Sequence, residues 1–277
     1  MNKNLRVPVG IFGIFLIIAI TLTYTLNNLF YLVNFLYIGS ILSIGIYLFV
    51  INNKYGRHLV QFTIGLYMVI FLGIILQENM QLSGFFYYLF LGVFQAAVIH
   101  YAIAKIFGPV LFGRGWCGYA CWTGMVLDIL PFKTPKNHER VKNLGLLRYM
   151  IFILIFIGVL ILFYLNVPNL DYLMFIIFIL GNLIYYAVGI VSAYILKDNR
   201  AFCKYFCPIT TFLKPASYFS LLRVKNTSEK CIKCNKCINN CPMDVDMLDN
   251  RRKRKNGTEC ILCLECISNC PTKSLKI

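Results

Sequence analysis

Apolar residues run along this chain in long blocks, and polar residues gather in the gaps between them. Six windows of about 20 apolar residues, roughly 8–27, 30–51, 59–76, 82–107, 147–166 and 172–196, are each long enough to cross the hydrocarbon core of a bilayer. In lipid every backbone amide must find its partner within the segment, so all six are predicted to be helices. Lys3 and Arg6 precede the first window as they would in a signal peptide. Its apolar run is too long for one, and no small-residue cleavage site follows, so it is expected to be an anchor.

The polar gaps are of two kinds. Gaps 28–29, 77–81 and 167–171 hold no lysine or arginine, and their only charges are Glu78 and Asp171. Lys54, Arg57, the 108–146 connection and everything after 196 fall on the opposite side, with Lys105 at the inner end of its helix. All 27 basic residues thereby share one side, and the positive-inside rule makes it the cytoplasm, with both termini there. The net charge of +16 is then that of juxtamembrane bases meeting anionic lipid, and it calls for no nucleic acid. A hydrophobic content of 59% with only 14% charged residues excludes a soluble domain of this size.

Twelve cysteines on the reducing side of a membrane point to metal or redox chemistry rather than to disulfides. Residues 231–242 read CIKCNKCINNCP and residues 260–271 read CILCLECISNCP. Each is the C-x2-C-x2-C-x3-C-P run of a bacterial [4Fe–4S] module, in which the fourth cysteine of one run serves the other cluster. The crossing assigns Cys231, Cys234, Cys237 and Cys270 to one cluster, and Cys260, Cys263, Cys266 and Cys241 to the other. C-x2-C spacing also suits zinc, but two complete runs closed by Pro242 and Pro271 favour iron–sulfur. Residues 225–277 are accordingly expected to form a small α+β bacterial-type 2[4Fe–4S] ferredoxin domain. Its inter-run stretch carries Arg-Arg-Lys-Arg-Lys at 251–255: a solvated loop, a lipid contact, or a docking patch for an acidic redox protein such as ferredoxin or flavodoxin.

Two further pairs repeat one pattern. RGWCGYAC at 114–121 and RAFCKYFC at 200–207 share arginine, a small residue, an aromatic, cysteine, any residue, tyrosine, any residue, cysteine. On a helix, cysteines four apart lie on one face. Cys117, Cys121, Cys203 and Cys207 could thus supply the four thiolates of an additional iron–sulfur cluster at the membrane edge, with two redox-active dithiols as the alternative. Arg114 and Arg200 would stabilise sulfur charge or anchor lipid phosphate. Stretches 125–133 and 211–225, apolar and closed by proline and lysine, are expected to lie along the headgroups.

With GRGWCGYAC, a second C-x3-C-P at 203–208 and the two terminal runs, residues 85–277 resemble the NapH-type polyferredoxins. Related modules occur in the membrane part of NosR and in CcoG-type cytochrome oxidase assembly factors. The resemblance implies membrane helices that exchange electrons with quinone or a partner subunit, beside a cytoplasmic ferredoxin domain. Trp122 stands where that family has proline.

Histidine chemistry is sparse. His58 at the start of the third window and His100 inside the fourth do not lie at one depth, as the axial ligands of a b-haem would. His100 with Gln95 is a candidate for quinone or proton handling. No nucleotide-binding fingerprint occurs. The expected organisation is residues 1–81 as N-terminal membrane helices, 82–224 as a membrane core with the two CxxxC pairs, and 225–277 as the ferredoxin domain. The whole is mainly α, a multi-pass membrane protein. Its expected function is electron transfer between a soluble cytoplasmic redox protein and a membrane quinone or a membrane or extracytoplasmic redox subunit, itself part of an oxidoreductase. Metal (copper) reduction for enzyme maturation, or redox sensing, are the alternatives.

Overall fold

The computed structural model describes residues 5–277 except 52, 54, 95, 136–138 and 228–230. Lys3, Lys54 and Gln95 lie outside the described residues. Among the described residues, five helices are long and apolar enough to span a membrane: α1 (Arg6–Leu26), α2 (Phe30–Val50), α3 (Gly56–Leu66) with its continuation, α9 (Leu147–Tyr164) and α10 (Leu170–Leu196). Helix α3 continues as a wider π-type helix over Tyr67–Ile75. α1 and α2 form a hairpin: Asn27 takes the left-handed conformation that ends α1, and the Asn28 carboxamide accepts from the Phe30 amide at 2.9 Å. Gly39 lets α2 approach α1, because a Cβ there would meet the Phe15 side chain at 2.6 Å. The outward side chains of these helices, Ile14, Ile17 and Leu154 among them, are exposed as lipid-facing residues are.

The fourth predicted window is not one helix. It divides into α4 (Leu82–Phe90), a turn at 91–94, and α5 (Ala96–Tyr101), which runs on as a π-type helix (Ala102–Phe107) into α6 (Gly108–Phe112). Phe85 stacks on Tyr101 with ring centroids 4.8 Å apart. Sixteen residues of straight helix would hold them about 24 Å apart. The two helices therefore double back, with Gly92 in the turn at a left-handed φ of 71°. α4 lies along α9, Phe86 against Phe156 and Phe90 against Phe163, and so runs in the same direction.

The gap at 77–81 is consequently sunk among the helices instead of lying at their outer end. Asn79 donates to the carbonyl of Met174 at 2.8 Å, Gln81 abuts Gly181, and Tyr87 further along donates to Asp171 at 2.8 Å. Asn79 and Gln81 are buried, and Asn79 accepts from the Gln81 amide, so the dipping backbone keeps its partners in an apolar setting. The shorter apolar helix Ala97–Phe112 then returns through the bundle, so successive long helices still alternate in direction.

After the bundle come α7 (Gly115–Tyr119) and α8 (Trp122–Leu127), then, past α10, α11 (Ala201–Tyr205) and α12 (Thr210–Tyr218). The tail has the small α+β form expected: β1 (Lys225–Asn226) pairs antiparallel with β2 (Leu275–Lys276), and α13 (Lys236–Asn239) and α14 (Glu265–Ser268) follow the cysteine loops.

Candidate iron–sulfur centres

The two cysteine runs fold as a structural repeat. Lys233 and Asn235 in the first run, and Leu262 and Leu264 at the equivalent places in the second, all take positive φ between 51° and 65°. Asp244 and Lys273, each three residues past a fourth cysteine, do the same. A left-handed backbone costs a non-glycine residue about 1–2 kcal/mol. Six such residues at matching positions mark loops whose shape is held for a purpose. The loops turn backbone amides onto sulfur: Lys233 onto Cys231, Leu262 onto Cys260, and Val245 onto Cys241 at 3.3 Å. Such bonds favour the thiolate that ligates metal. At Cys270, burial acts the other way but bonds from Ser274 and Thr272 prevail, bringing the thiol down to about 7.

Around these loops lie two cavities. One is lined by Cys231, Cys234, Cys237 and Cys270. The other is lined by Cys241, Cys260, Cys263 and Cys266. Each thus gathers three cysteines of one run and the fourth of the other. Among the described residues no three His, Cys, Asp or Glu side chains converge as a single bare ion requires. Cysteines standing around a cavity, with amides turned to their sulfurs, fit a polynuclear cluster better than one zinc ion.

The CxxxC pairs form a second repeat, related across the bundle. Cys117 lies on α7 and Cys203 on α11, both five-residue helices. The second cysteine of each pair sits beyond the helix end, and Cys121 caps α8 by accepting from the Gly124 amide at 3.4 Å. The pairs therefore do not share a continuous helical face as i and i+4; a turn brings them round. Arg114 and Arg200 immediately precede the two helices and reach across reciprocally. Arg114 Nη2 donates to the carbonyl of Cys203 at 3.5 Å, and Arg200 Nη1 to that of Cys117 at 3.3 Å. All four thiols lie within electrostatic reach of one another.

These four cysteines are set deeper than a position at the helix ends. Trp122 donates to Asn182 at 2.8 Å, and Phe202 packs on Tyr185 at 5.1 Å between centroids. Asn182 lies fourteen residues before the end of α10, about 20 Å along it. The chain folds back into the bundle after both helices. For the same reason α8 does not lie along the headgroups: Leu127 is fully buried against Gly189. Beyond α12, Phe219, Leu221 and Leu222 are exposed, as an interfacial stretch should be.

The ferredoxin part sits directly on this repeat. The Arg114 amide donates to Cys260 O at 3.3 Å and the Tyr119 hydroxyl to Leu262 O at 3.1 Å. Glu259, 1% exposed, receives Arg114, Arg148 at 2.9 Å, Arg140 at 3.3 Å and Lys214 at 3.4 Å. Asp128 receives Arg57 at 2.7 Å and Arg200 at 2.5 Å, and Lys204 joins Asp198 to Asp244. Even so, cations prevail. Among the described residues Lys105, Arg114, Arg148, Arg200, Lys204 and Arg254 are buried against only Asp198, Asp244 and Glu259. Burying unpaired charge is costly, so the cysteine centres are where compensating negative charge belongs. Within 251–255, Arg252 and Arg254 donate to carbonyls of Tyr218, Ser220 and Val224, fastening the tail, while Arg251, Lys253 and Lys255 remain exposed.

Sequence reasoning noticed the arginines and missed their anions. Asp128 was visible as a lone acid within an apolar stretch, and Glu259 as the residue before a ligand run. His100 contacts Trp116, ring centroids 5.2 Å apart, while His58 lies beside Arg57.

The 4Fe-4S dicluster domain family matches residues 223–271, and the 4Fe-4S binding domain family matches both 96–133 and 180–226. The latter two stretches are those that carry the CxxxC pairs. This is an iron–sulfur protein. Two uncharacterized proteins of Methanocaldococcus jannaschii are similar to it. MJ0750 is 25% identical over 63% of this chain and 84% of its own length, and MJ0749 is 26% identical over 53% and 60%. YccM, an Escherichia coli protein named for electron transport, is 32% identical over 24% of this chain and 18% of its own length. No solved structure matches.

Proposed function

We propose that this protein conducts electrons between a soluble cytoplasmic redox protein and a membrane quinone or partner subunit. Its route runs through three centres in order: Cys231/Cys234/Cys237/Cys270, then Cys260/Cys263/Cys266/Cys241, then Cys117/Cys121/Cys203/Cys207. The observation that carries the reading is the seating of the second run on α7, with Cys260 O bonded to the Arg114 amide three residues before Cys117. Iron–sulfur clusters, when bound, supply one-electron chemistry. The chain's own contribution is to offer hydrogen bonds to sulfur, to fix successive sites against one another, and to exclude water. Amides turned to sulfur do the first, the ion pairs at Glu259 and Asp128 the second, and burial of Cys117 and Cys203 the third.

The order of the sites supports entry from solvent at the first centre, where Cys234 is exposed. The exposed bases of 251–255 suit an acidic donor. Placement of the tail and both termini in the cytoplasm rests on the one-sided basic residues. The similarity to YccM over 68 residues and the resemblance to NapH-type polyferredoxins agree with this role. Reduced ferredoxin or flavodoxin mixed with the purified protein should reduce its clusters, seen by electron paramagnetic resonance. With Cys203 and Cys207 changed to serine, the two ferredoxin clusters should still be reduced while delivery to a membrane acceptor stops. Undiminished delivery in that variant would refute the route.

A further inference from the structure

A cleft with about 100 Å³ of free volume opens among α1, α2, the π-type continuation of α3, the dipping 77–81 segment and α5. Its walls are apolar, including Phe35, Met68 and Ile103, with a few polar groups among them as in small-molecule sites. Ile103, 37% exposed, places one rim at the lipid-facing surface. Five polar side chains line it among the described residues: Tyr31, Asn34, Glu78, His100 and Trp116. Trp116 Nε1 and His100 Nε2 are both buried with no hydrogen-bond partner, and the two rings meet edge to face at 5.2 Å between centroids. An indole N–H can only donate. A buried donor without an acceptor is costly, so the site is built for something that brings one.

Two further observations single out this place. Two of the helices that line it abandon α-helical winding there, at Tyr67–Ile75 and at Ala102–Phe107. Such π-type segments are frequent at functional sites. Trp116 is also the neighbour in sequence of Cys117, and Lys105, 5.4 Å from the Trp116 ring, lies within electrostatic reach of Cys117, Cys121 and Cys207. A ligand held by Trp116 is therefore next to the deepest cysteine centre.

We infer that this cleft binds the head group of a lipid-soluble quinone, one carbonyl accepting from Trp116 or His100 and the ring lying between the apolar walls. A phospholipid acyl chain would fill the walls and leave both nitrogens unsatisfied. A quinone supplies the acceptor, arrives through the bilayer and carries the flat apolar ring the walls fit. Glu78 and His100, with the Tyr31 phenol, are the groups facing it that can hold a proton at a ligand oxygen. The inference rests on the electron-transfer reading and adds the site and the class of its membrane ligand.

The full-length protein, loaded with its clusters in phosphatidylcholine nanodiscs, tests it with an azido-benzoquinone photolabel. Label should map by peptide mass spectrometry to the stretches around Met68, Glu78 and 99–116, and short-tailed benzoquinone or naphthoquinone should displace it. The better competitor identifies the ring system. Ile103→Trp, which fills the rim, should weaken displacement at least about tenfold. Trp116→Phe, losing one hydrogen bond, should weaken it about three- to tenfold. Leu160→Trp, on the exposed face of α9, is the control. Iron content and the resonance spectrum of each variant establish that it is folded. Labelling confined to α9 or other exposed helix faces, affinities within twofold of wild type in both cleft variants, or protection by added phosphatidylcholine but not by quinone would each overturn the proposal. If cluster reduction by ferredoxin proceeds normally in that case, the electron-transfer reading survives it; absent clusters would end the reading whatever the cleft binds.

Discussion

Gly118→Ala strikes the joint between the ferredoxin part and the membrane part with a single methyl group. A Cβ at Gly118 would lie 2.3 Å from Ile261 O, where contacts under 3.0 Å are essentially never seen. The obstacle is backbone, so the 260–263 loop must withdraw by at least 0.7 Å from α7, or α7 from it. Overpacking of this kind costs about 1–3 kcal/mol. Replacing glycine by alanine in a helix returns about 0.5–1 kcal/mol. Taking the middle of both ranges, the net loss in docking is about 1 kcal/mol, a factor of about 5–10 in the closed-to-open equilibrium. Hydrogen exchange measures it directly, because the Arg114 amide is closed by Cys260 O at 3.3 Å. Peptides covering 112–121 and 258–266 should exchange about 5–10 times faster, while those of α9 and α10 stay unchanged. Gly158→Ala, in a position with nothing within 4 Å, is the matched control. Exchange within twofold of wild type at 112–121, or acceleration spread equally over α9 and α10, would refute the reasoning.

Glu259→Gln removes the carboxylate shared by Arg114, Arg140, Arg148 and Lys214; breaking a buried pair costs about 3–5 kcal/mol, and thermal unfolding followed by cluster bleaching should show a loss of that order. Asp128→Asn frees Arg57 and Arg200 together, and should perturb the resonance of the four-cysteine centre while the ferredoxin signals keep their shape. Reporters inserted at residues 93 and 169 should read outside the cytoplasm and a fusion at 277 inside it, with a cytoplasmic reading at 169 breaking the orientation. Cys237→Ser should impair the cluster of the first cavity chiefly and Cys266→Ser that of the second, seen as selective loss of one of two signals.

What was legible in the chain was whatever depends on short-range spacing or length. The cysteine runs announce their loops because four ligands within eleven residues leave few ways to fold. The five long helices follow from apolar length alone. The break at 91–94 was hidden because its residues, Leu91, Gly92, Val93 and Phe94, are as apolar as the helices beside them. A hydropathy window sees no boundary there; only a left-handed glycine makes the turn. The dip at 77–81 was hidden in the complementary way. Its polar residues look like a surface loop, and it takes Met174 and Gly181 of a helix 95–100 residues later to show that they are internally satisfied. Arg114 and Arg200 were visible as a repeat, yet their reciprocal reach depends on the pairing of α7 with α11, which no local pattern encodes.

Iron counting tests the central claim most directly. Anaerobically purified full-length protein should hold about twelve iron and twelve acid-labile sulfide per chain, four of each for three clusters. Changing Cys117 and Cys121 to serine should lower this to about eight, changing Cys203 and Cys207 should do the same, and all four together should lower it no further, as residues serving one centre require. About eight iron in the unmutated protein, or losses that add between the two pairs, would contradict the shared membrane centre.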